Sequence, residues 1–579
     1  MRVRLAKTAG FCMGVRRAME MALAESNKSD GPLFTYGPLI HNNQVLELLE
    51  SKGVKAINSL TDIHAGRIII RAHGIPPDER QAIKNSGLKV LDATCPKVAR
   101  VQSIVRAYTR KGYAAIIVGD KTHAETIGLT GHATGRVYVI DSIPDIEKLP
   151  DLNSCFVVAQ TTRDEHGFNE IVKALKKRFP EILVFNTICD ATHQRQNEVR
   201  LLSGEVDALV VVGGYHSANT QRLAEISSKS GVPTFHVETE NDLDLKALAK
   251  MNLIGITAGA STPNWMIKNV VSAIEGIRGR RESSFFRLII HIIKILVMSN
   301  ILAALGAFSF AYCASILSKN PNIIFPFITL LYIHAMLVFI RFFDKGAGSY
   351  NDPERAVFLI KHRAVLIISG LAAISAGLAL SFYVGIESLL ALAALSLLGI
   401  TYSIPFVPGI FRIKGRYSKI KDIPGSKSLS ESLGWLAVIV FLPVLGSASI
   451  EWPSVITTAI IVLLMGFTRS AFLDILQVQG DLIVGIETLP ITLGEKNTLR
   501  LLKSTLAATA IILLSAPILG LLNLFSLVVL VSVSGLAFCI LAYERHWLYP
   551  GLTLEALVEL NFLLSGLLGI VWLSFLWLS

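Results

Sequence analysis

The chain is short of charge. Asp, Glu, Lys and Arg make up 17% of its 579 residues, against about 25% in average globular chains. With 52% hydrophobic residues and a mean hydropathy of +0.52, this excludes disorder as the main state and a purely soluble protein. Cysteine is scarce as well. Cys12, Cys95, Cys155, Cys189, Cys313 and Cys539 are too few over this length for a disulfide framework, and no CxxC pair of the kind common in zinc and ferredoxin-type sites occurs. The first 25 residues contain several charges and no long apolar run, so no signal peptide is expected and the first half should stay in the reducing cytoplasm. No basic patch with interleaved aromatics indicates a nucleic-acid partner, and no fingerprint indicates a bound nicotinamide or flavin.

What charge there is lies mostly in the first half. Of the 55 Lys and Arg, 36 precede Ser284, as do 30 of the 44 Asp and Glu, so the chain is read as a soluble half followed by a membrane half. In the soluble half, short apolar runs such as RIIIRAHG at Arg67, AAIIVGD at Ala114 and ALVVVGG at Ala208 alternate with helical patterns, which predicts an α/β fold with parallel sheets. The pattern repeats three times. Cys12, Cys95 and Cys189 each precede a helix-like stretch, and a polar cluster follows 28 or 29 residues later, at His41, His123 and Ser217. Each unit then reaches a second polar site at a strand end: His73, Thr161 and Ser261. Ligands of parallel sheets bind beyond the carboxyl ends of strands, so three such units would surround one cavity with three thiols and about six polar groups. Cys155 lies within an apolar strand, lacks a repeat partner and reads as core.

Two readings of the three cysteines are open from spacing alone: buried core thiols, or ligands. Three thiolates can hold three irons of a [4Fe–4S] cluster and leave the fourth open to a substrate oxygen. The His, Ser, Thr and Asn groups are donors suited to an anion, and Glu125 beside them can carry a proton. The motifs GFCMGVRRA, RAHG, DATCPKV, THAE, QTT, CDATHQRQ and TAGAS together resemble the LytB/IspH family of 4-hydroxy-3-methylbut-2-enyl diphosphate reductases, over about residues 1–278. The resemblance implies three α/β units around one [4Fe–4S] cluster, held by Cys12, Cys95 and Cys189. It implies reductive dehydroxylation of a hydroxylated allylic diphosphate to isopentenyl and dimethylallyl diphosphate, the last step of the methylerythritol phosphate route. His41, His73, His123, Ser217, Asn219 and Ser261 match the diphosphate positions, Glu125 the proton-relay acid and Thr161 the threonine near the leaving hydroxyl. Ala218 stands where the family often has a second serine. The expected electron donor is an external ferredoxin or flavodoxin.

From about Phe286 the apolar runs are long enough to span a bilayer. Nine spans are expected, near 290–316, 322–342, 364–384, 387–407, 433–449, 454–472, 502–520, 523–543 and 556–577. With the soluble half inside, sixteen Lys and Arg lie in inner loops and only Lys319 in an outer one, as the positive-inside rule requires. Two inner loops carry carboxylates: RFFDKGAGSYNDPERA with Asp344, Asn351 and Asp352, and FLDILQVQGDLIVGIETLPITLGEK with Asp474 and Asp481. With TYSIP at Thr401 and GSK ending at Lys427, the second loop resembles the UbiA family of membrane prenyltransferases. That resemblance implies nine transmembrane helices and Mg²⁺ held by Asp344, Asp352, Asp474 and Asp481 for transfer from an allylic diphosphate to a prenyl or lipid acceptor. Two departures stand out: Ile340 or Arg341 occupies the region of the family's Asn, and Gln477 replaces the middle Asp of the second motif. The half is then an active transferase with unusual motifs or a degenerate anchor or lipid-binding module. The organisation expected is an iron–sulfur reductase domain over 1–280, a linker over 281–289 and an all-α polytopic domain over 290–579. The alternative is a membrane prenyltransferase with a regulatory or redox-sensing iron–sulfur domain.

Overall fold

A computed structural model describes residues 2–28, 31–60, 63, 65–277, 284–343, 350–401, 425–447, 449–484, 486, 488–545, 547–548 and 550–578. The chain forms two compact units, Met1–Glu282 and Ser283–Ser579.

Twelve short strands build the first unit: β1 (Arg2–Leu5), β2 (Leu33–Tyr36), β3 (Val54–Ile57), β4 (Arg67–Ile70), β5 (Lys89–Asp92), β6 (Ala114–Val118), β7 (Val137–Ile140), β8 (Cys155–Ala159), β9 (Leu183–Phe185), β10 (Ala208–Val212), β11 (Thr234–Val237) and β12 (Leu253–Ala258). They form three four-stranded parallel sheets of matching order, β3-β2-β4-β5, β7-β6-β8-β9 and β11-β10-β12-β1. The first strand of the chain completes the third sheet, so the repeat closes on itself. The β-branched runs of β4, β6, β8 and β10 are buried on both faces, as expected where helices cover a parallel sheet.

The sheets also fix which residues are equivalent. Tyr36 pairs with Ile70, Val118 with Ala159 and Val212 with Ala258. Beyond those ends, the backbone N–H of each cysteine reaches across to a carbonyl: Cys95 to Ala72 at 2.9 Å, Cys189 to Thr161 at 2.9 Å and Cys12 to Ala260 at 3.2 Å. By this register Thr161 is the counterpart of Ala72 and Ala260, and the counterpart of His73 and Ser261 is Thr162. The repeat alignment expected from sequence is therefore one residue off in the second unit. Identical spacing of short apolar strands leaves the register open until the ladder is formed.

The second unit is helical. Among the described residues seven helices are long and apolar enough to cross a membrane, Ile324–Phe342, Ser426–Leu445, Trp452–Val478 and Leu552–Ser574 being four of them. The nine expected spans are not all found among the described residues. The first expected span is broken into Leu288–Met298 and Ile301–Leu317, bent by 78°, and counting it as one span gives eight. The break falls at Asn300, in the left-handed conformation with φ 61°, which Asn tolerates better than most residues. Of the expected span at 387–407, the described part is the helix Ile386–Thr401; residues 402–407 lie outside the described residues.

Candidate functional site

Each cysteine of the trio caps a helix: Cys12 precedes Met13–Ser26, Cys95 precedes Pro96–Arg110 and Cys189 precedes Asp190–Ser203. All three have extended backbones and are part-buried, whereas Cys155 is buried in β8. A helix N-terminus directs backbone N–H groups and positive dipole at the sulfur, which suits a thiolate ligand; Val15 N–H, for instance, donates to Cys12 Sγ at 3.5 Å. Burial pushes the Cys95 thiol up, and Cys12 and Cys189 both add to the shift, which places the three within electrostatic reach of one another. A Cβ on Gly14 would lie 2.6 Å from Cys95 Sγ, so the first helix needs glycine to approach the second cysteine. Three thiols of this kind fit a cluster with three protein ligands.

The strand ends bring together His41, His73 and His123, with ring centroids 4.9, 5.4 and 5.8 Å apart and ligand-capable atoms all within 4.8 Å of one another. A tetrahedral zinc with nitrogen at about 2.0–2.1 Å would hold three imidazoles at about this spacing. One hydrogen bond decides against a metal. Glu125 N–H donates to His123 Nδ1 at 3.1 Å, so the neutral ring carries its proton on Nε2 and offers a donor, not a lone pair. Burial lowers all three pKa values, with Arg71 adding to it at each ring; His73 lies well below its ordinary value and His123 falls to about 4. Buried His41 Nε2, His73 Nδ1 and Asn219 Nδ2 have no partner within the protein. Most buried polar atoms in proteins have a partner, so these three stand out as groups a ligand could satisfy. Ser217 and Ser261 are buried beside them, their hydroxyls 3.5 Å apart, and Ser261 also donates to the His41 carbonyl at 3.1 Å.

Glu125 is 1% exposed. Thr161 N–H donates to its Oε1 at 2.7 Å and Thr161 Oγ1 to its Oε2 at 2.9 Å. Burial raises its pKa from 4.5 to about 7, even though both Thr161 hydrogen bonds oppose the rise. A carboxyl poised there can give or take a proton at neutral pH. Sequence reasoning missed Thr162, whose hydroxyl accepts from Gln160 Nε2 at 3.1 Å. It also missed Arg71, the cation felt by all three histidines.

In the helical unit Asp474 and Asp481 are buried and meet at Lys427. Asp352 does not join them. It caps the helix Pro353–Lys361 by accepting from Arg355 N–H at 3.0 Å and lies 3.5 Å from Arg355 Nε. The first-loop residue that reaches the pair is Asn351, which donates to Asp481 Oδ1 at 3.1 Å. Asp344 lies outside the described residues. Nearby, Arg469 stacks over Trp435 and pairs with Glu559 and Glu431, and Arg355 pairs with Glu555.

The fold and site define a threefold α/β protein with a cysteine trio and a cluster of buried histidine, serine and asparagine side chains at the strand ends. Residues 3–275 match the model of the LytB protein family. A 4-hydroxy-3-methylbut-2-enyl diphosphate reductase of Geotalea daltonii is 45% identical over 277 residues, which cover 48% of this chain and 98% of that protein. The chain belongs to this reductase family. The reductase structure from Plasmodium falciparum is 32% identical, with TM-score 0.46, over 49% of this chain and 93% of that one. Residues 300–567 match the UbiA prenyltransferase family. A UbiA homolog from Archaeoglobus fulgidus bound to GPP and Mg²⁺ is 14% identical, with TM-score 0.35, over 48% of this chain and 99% of that one.

Proposed function

We propose that the chain is a membrane-held oxidoreductase acting on 4-hydroxy-3-methylbut-2-enyl diphosphate. Two electrons and two protons are added, the C–OH bond breaks, water leaves, and isopentenyl and dimethylallyl diphosphate form. The observation that carries this reading is the set of buried donors without protein partners, His41 Nε2, His73 Nδ1 and Asn219 Nδ2, beside a carboxyl poised near pH 7. With His123, Ser217 and Ser261 they supply the hydrogen bonds a diphosphate needs. Neutral imidazoles let the empty pocket stay folded without buried charge, and Arg71 gives it a positive field. Glu125 in its acid form protonates the departing hydroxyl, and Thr161 holds that carboxyl in place through two hydrogen bonds.

A [4Fe–4S] cluster held by Cys12, Cys95 and Cys189 would supply electron transfer and a Lewis-acidic iron. The electrons come from an external carrier of ferredoxin or flavodoxin type, since no nucleotide-binding fingerprint is present in the sequence. The helical unit holds the reductase at the cytoplasmic face of the membrane, an orientation supported by the basic residues of its inner loops. The test is anaerobic purification with iron and sulfide analysis, followed by a reductase assay on the hydroxylated diphosphate. About four irons per chain and turnover are expected; a colourless chain without turnover overturns the reading.

A further inference from the structure

The UbiA resemblance implies Mg²⁺ at the Asp474–Asp481 pair, and the residues present do not fit it. Asp474, Gln477 and Asp481 lie on one face of the helix Trp452–Val484, at spacings of three and four residues. Into that face projects Lys427. Its Nζ is 2.8 Å from Asp474 Oδ1, 3.2 Å from Asp481 Oδ2 and 3.4 Å from Gln477 Oε1. Three acceptors thus meet the three donors of one ammonium. The outer oxygens are occupied as well: Ser428 Oγ donates to Asp474 Oδ2 at 2.6 Å and Asn351 Nδ2 to Asp481 Oδ1 at 3.1 Å.

Placing Lys427 there runs against local preference. It is the second residue of the helix Ser426–Leu436, which follows left-handed Gly425, and a cation in the first turn opposes the helix dipole. The carboxylates account for it. Gln477 completes the substitution: a divalent ion requires carboxylate charge and oxygen ligands at about 2.0–2.1 Å, whereas with one fewer carboxylate a single tethered ammonium brings the set to one net negative charge with its three acceptors all engaged.

We propose that Lys427 is the resident counter-cation of the Asp474–Asp481 pair and stands where a divalent ion would sit, so that the helical unit works without Mg²⁺ at this pair. Two carboxylates and one ammonium carry a net negative charge, and this place then offers no cation to a diphosphate. The helical unit consequently does not carry out Mg²⁺-dependent prenyl transfer through these residues.

The test counts bound Mn²⁺, as a paramagnetic substitute for Mg²⁺, by room-temperature electron paramagnetic resonance on the full chain in lipid nanodiscs. Wild type and Asp474→Asn should bind the same amount. Lys427→Met should gain about one Mn²⁺ per chain, lost again in Lys427→Met with Asp474→Asn, while reductase turnover stays unchanged in all of them. If wild type binds one Mn²⁺ more than Asp474→Asn, the proposal is overturned. It is also overturned if Lys427→Met keeps its helix content and gains no Mn²⁺. Should Lys427→Met fail to fold, the comparison of wild type with Asp474→Asn decides alone.

Discussion

The two halves treat buried polarity in opposite ways. In the α/β half, His41 Nε2, His73 Nδ1 and Asn219 Nδ2 are buried in one region and left without protein partners. In the helical half, Lys427 meets Asp474 and Asp481, Arg469 meets Glu559 and Glu431, and Arg355 meets Glu555. Orphaned atoms occur there too, but on separate helices: Arg355 Nε, His334 Nδ1 and the hydroxyls of Ser381, Thr458 and Ser532 are examples. A cluster of unpaired donors is costly unless a ligand completes it. Charges paired within the bundle leave less for a ligand to satisfy at those groups. The first pattern leaves buried polar atoms open to a ligand, and the second engages its charged groups mostly with one another.

The largest effect should come from the cysteines. Cys95→Ser should lose iron and all turnover, and Cys12→Ser and Cys189→Ser should do the same. Cys155→Ser should leave both nearly unchanged. Iron analysis with a turnover assay checks this, and full iron content in Cys95→Ser would contradict the assigned ligand.

Glu125→Gln should keep substrate binding and lower turnover about 10²–10⁴-fold. In wild type the acid form is depleted as pH rises through about 7, so turnover should fall there. Stability carries the same signature. The Glu125 pKa is raised on folding from 4.5 to about 7, so its contribution is fully present below pH 4.5 and is lost as pH rises through 7. Thermal melts from pH 4 to 8 should therefore show Glu125→Gln gaining on wild type across that window. A constant difference would remove the buried proton from the account.

The contrast between open and closed polarity has its own test. Arg469→Met leaves buried Glu559 and part-buried Glu431 without their cation and should cost about 3–5 kcal/mol, read as a lowered denaturation midpoint of the helical unit. His73→Gln removes a ring whose Nδ1 has no partner and should cost under about 1 kcal/mol, while substrate binding is lost. Equal destabilisation by the two would collapse the distinction.

The smallest effect should separate two neighbouring threonines. Thr161→Val removes the hydroxyl that positions Glu125, and a hydrogen bond to the neutral acid contributes about 0.5–1.5 kcal/mol, so turnover should drop up to about tenfold. Thr162→Val leaves both Glu125 hydrogen bonds in place and should change turnover less than about threefold by the same reasoning. The reverse order would show that the one-residue register taken from the sheets does not govern the site.

Much of the α/β half was legible in the chain. Apolar strand runs, three cysteines at equivalent positions and the polar groups at His41, His73, His123, Ser217 and Ser261 are local patterns, and each unit repeats them. Thr162 was not legible, because its equivalence to His73 rests on hydrogen bonds from Cys95 to Ala72 and from Cys189 to Thr161. The helical half was legible as apolar runs, but the bend at Asn300 depends on a backbone conformation that hydropathy does not encode. Asp352 was misplaced because a carboxylate before a helix can equally cap it, and here it caps Pro353–Lys361.

By itself the sequence determined the two-part organisation, the threefold α/β repeat and the residue types of the anion pocket, because periodicity and burial preference are written residue by residue. Only the tertiary structure decided that Glu125 is buried enough to hold a proton near pH 7 and that Lys427 fills the space between Asp474 and Asp481. Those outcomes depend on groups brought together across 36 and about 50 residues of chain, where solvent is excluded and a single hydrogen bond or ion pair selects a protonation state or a cation.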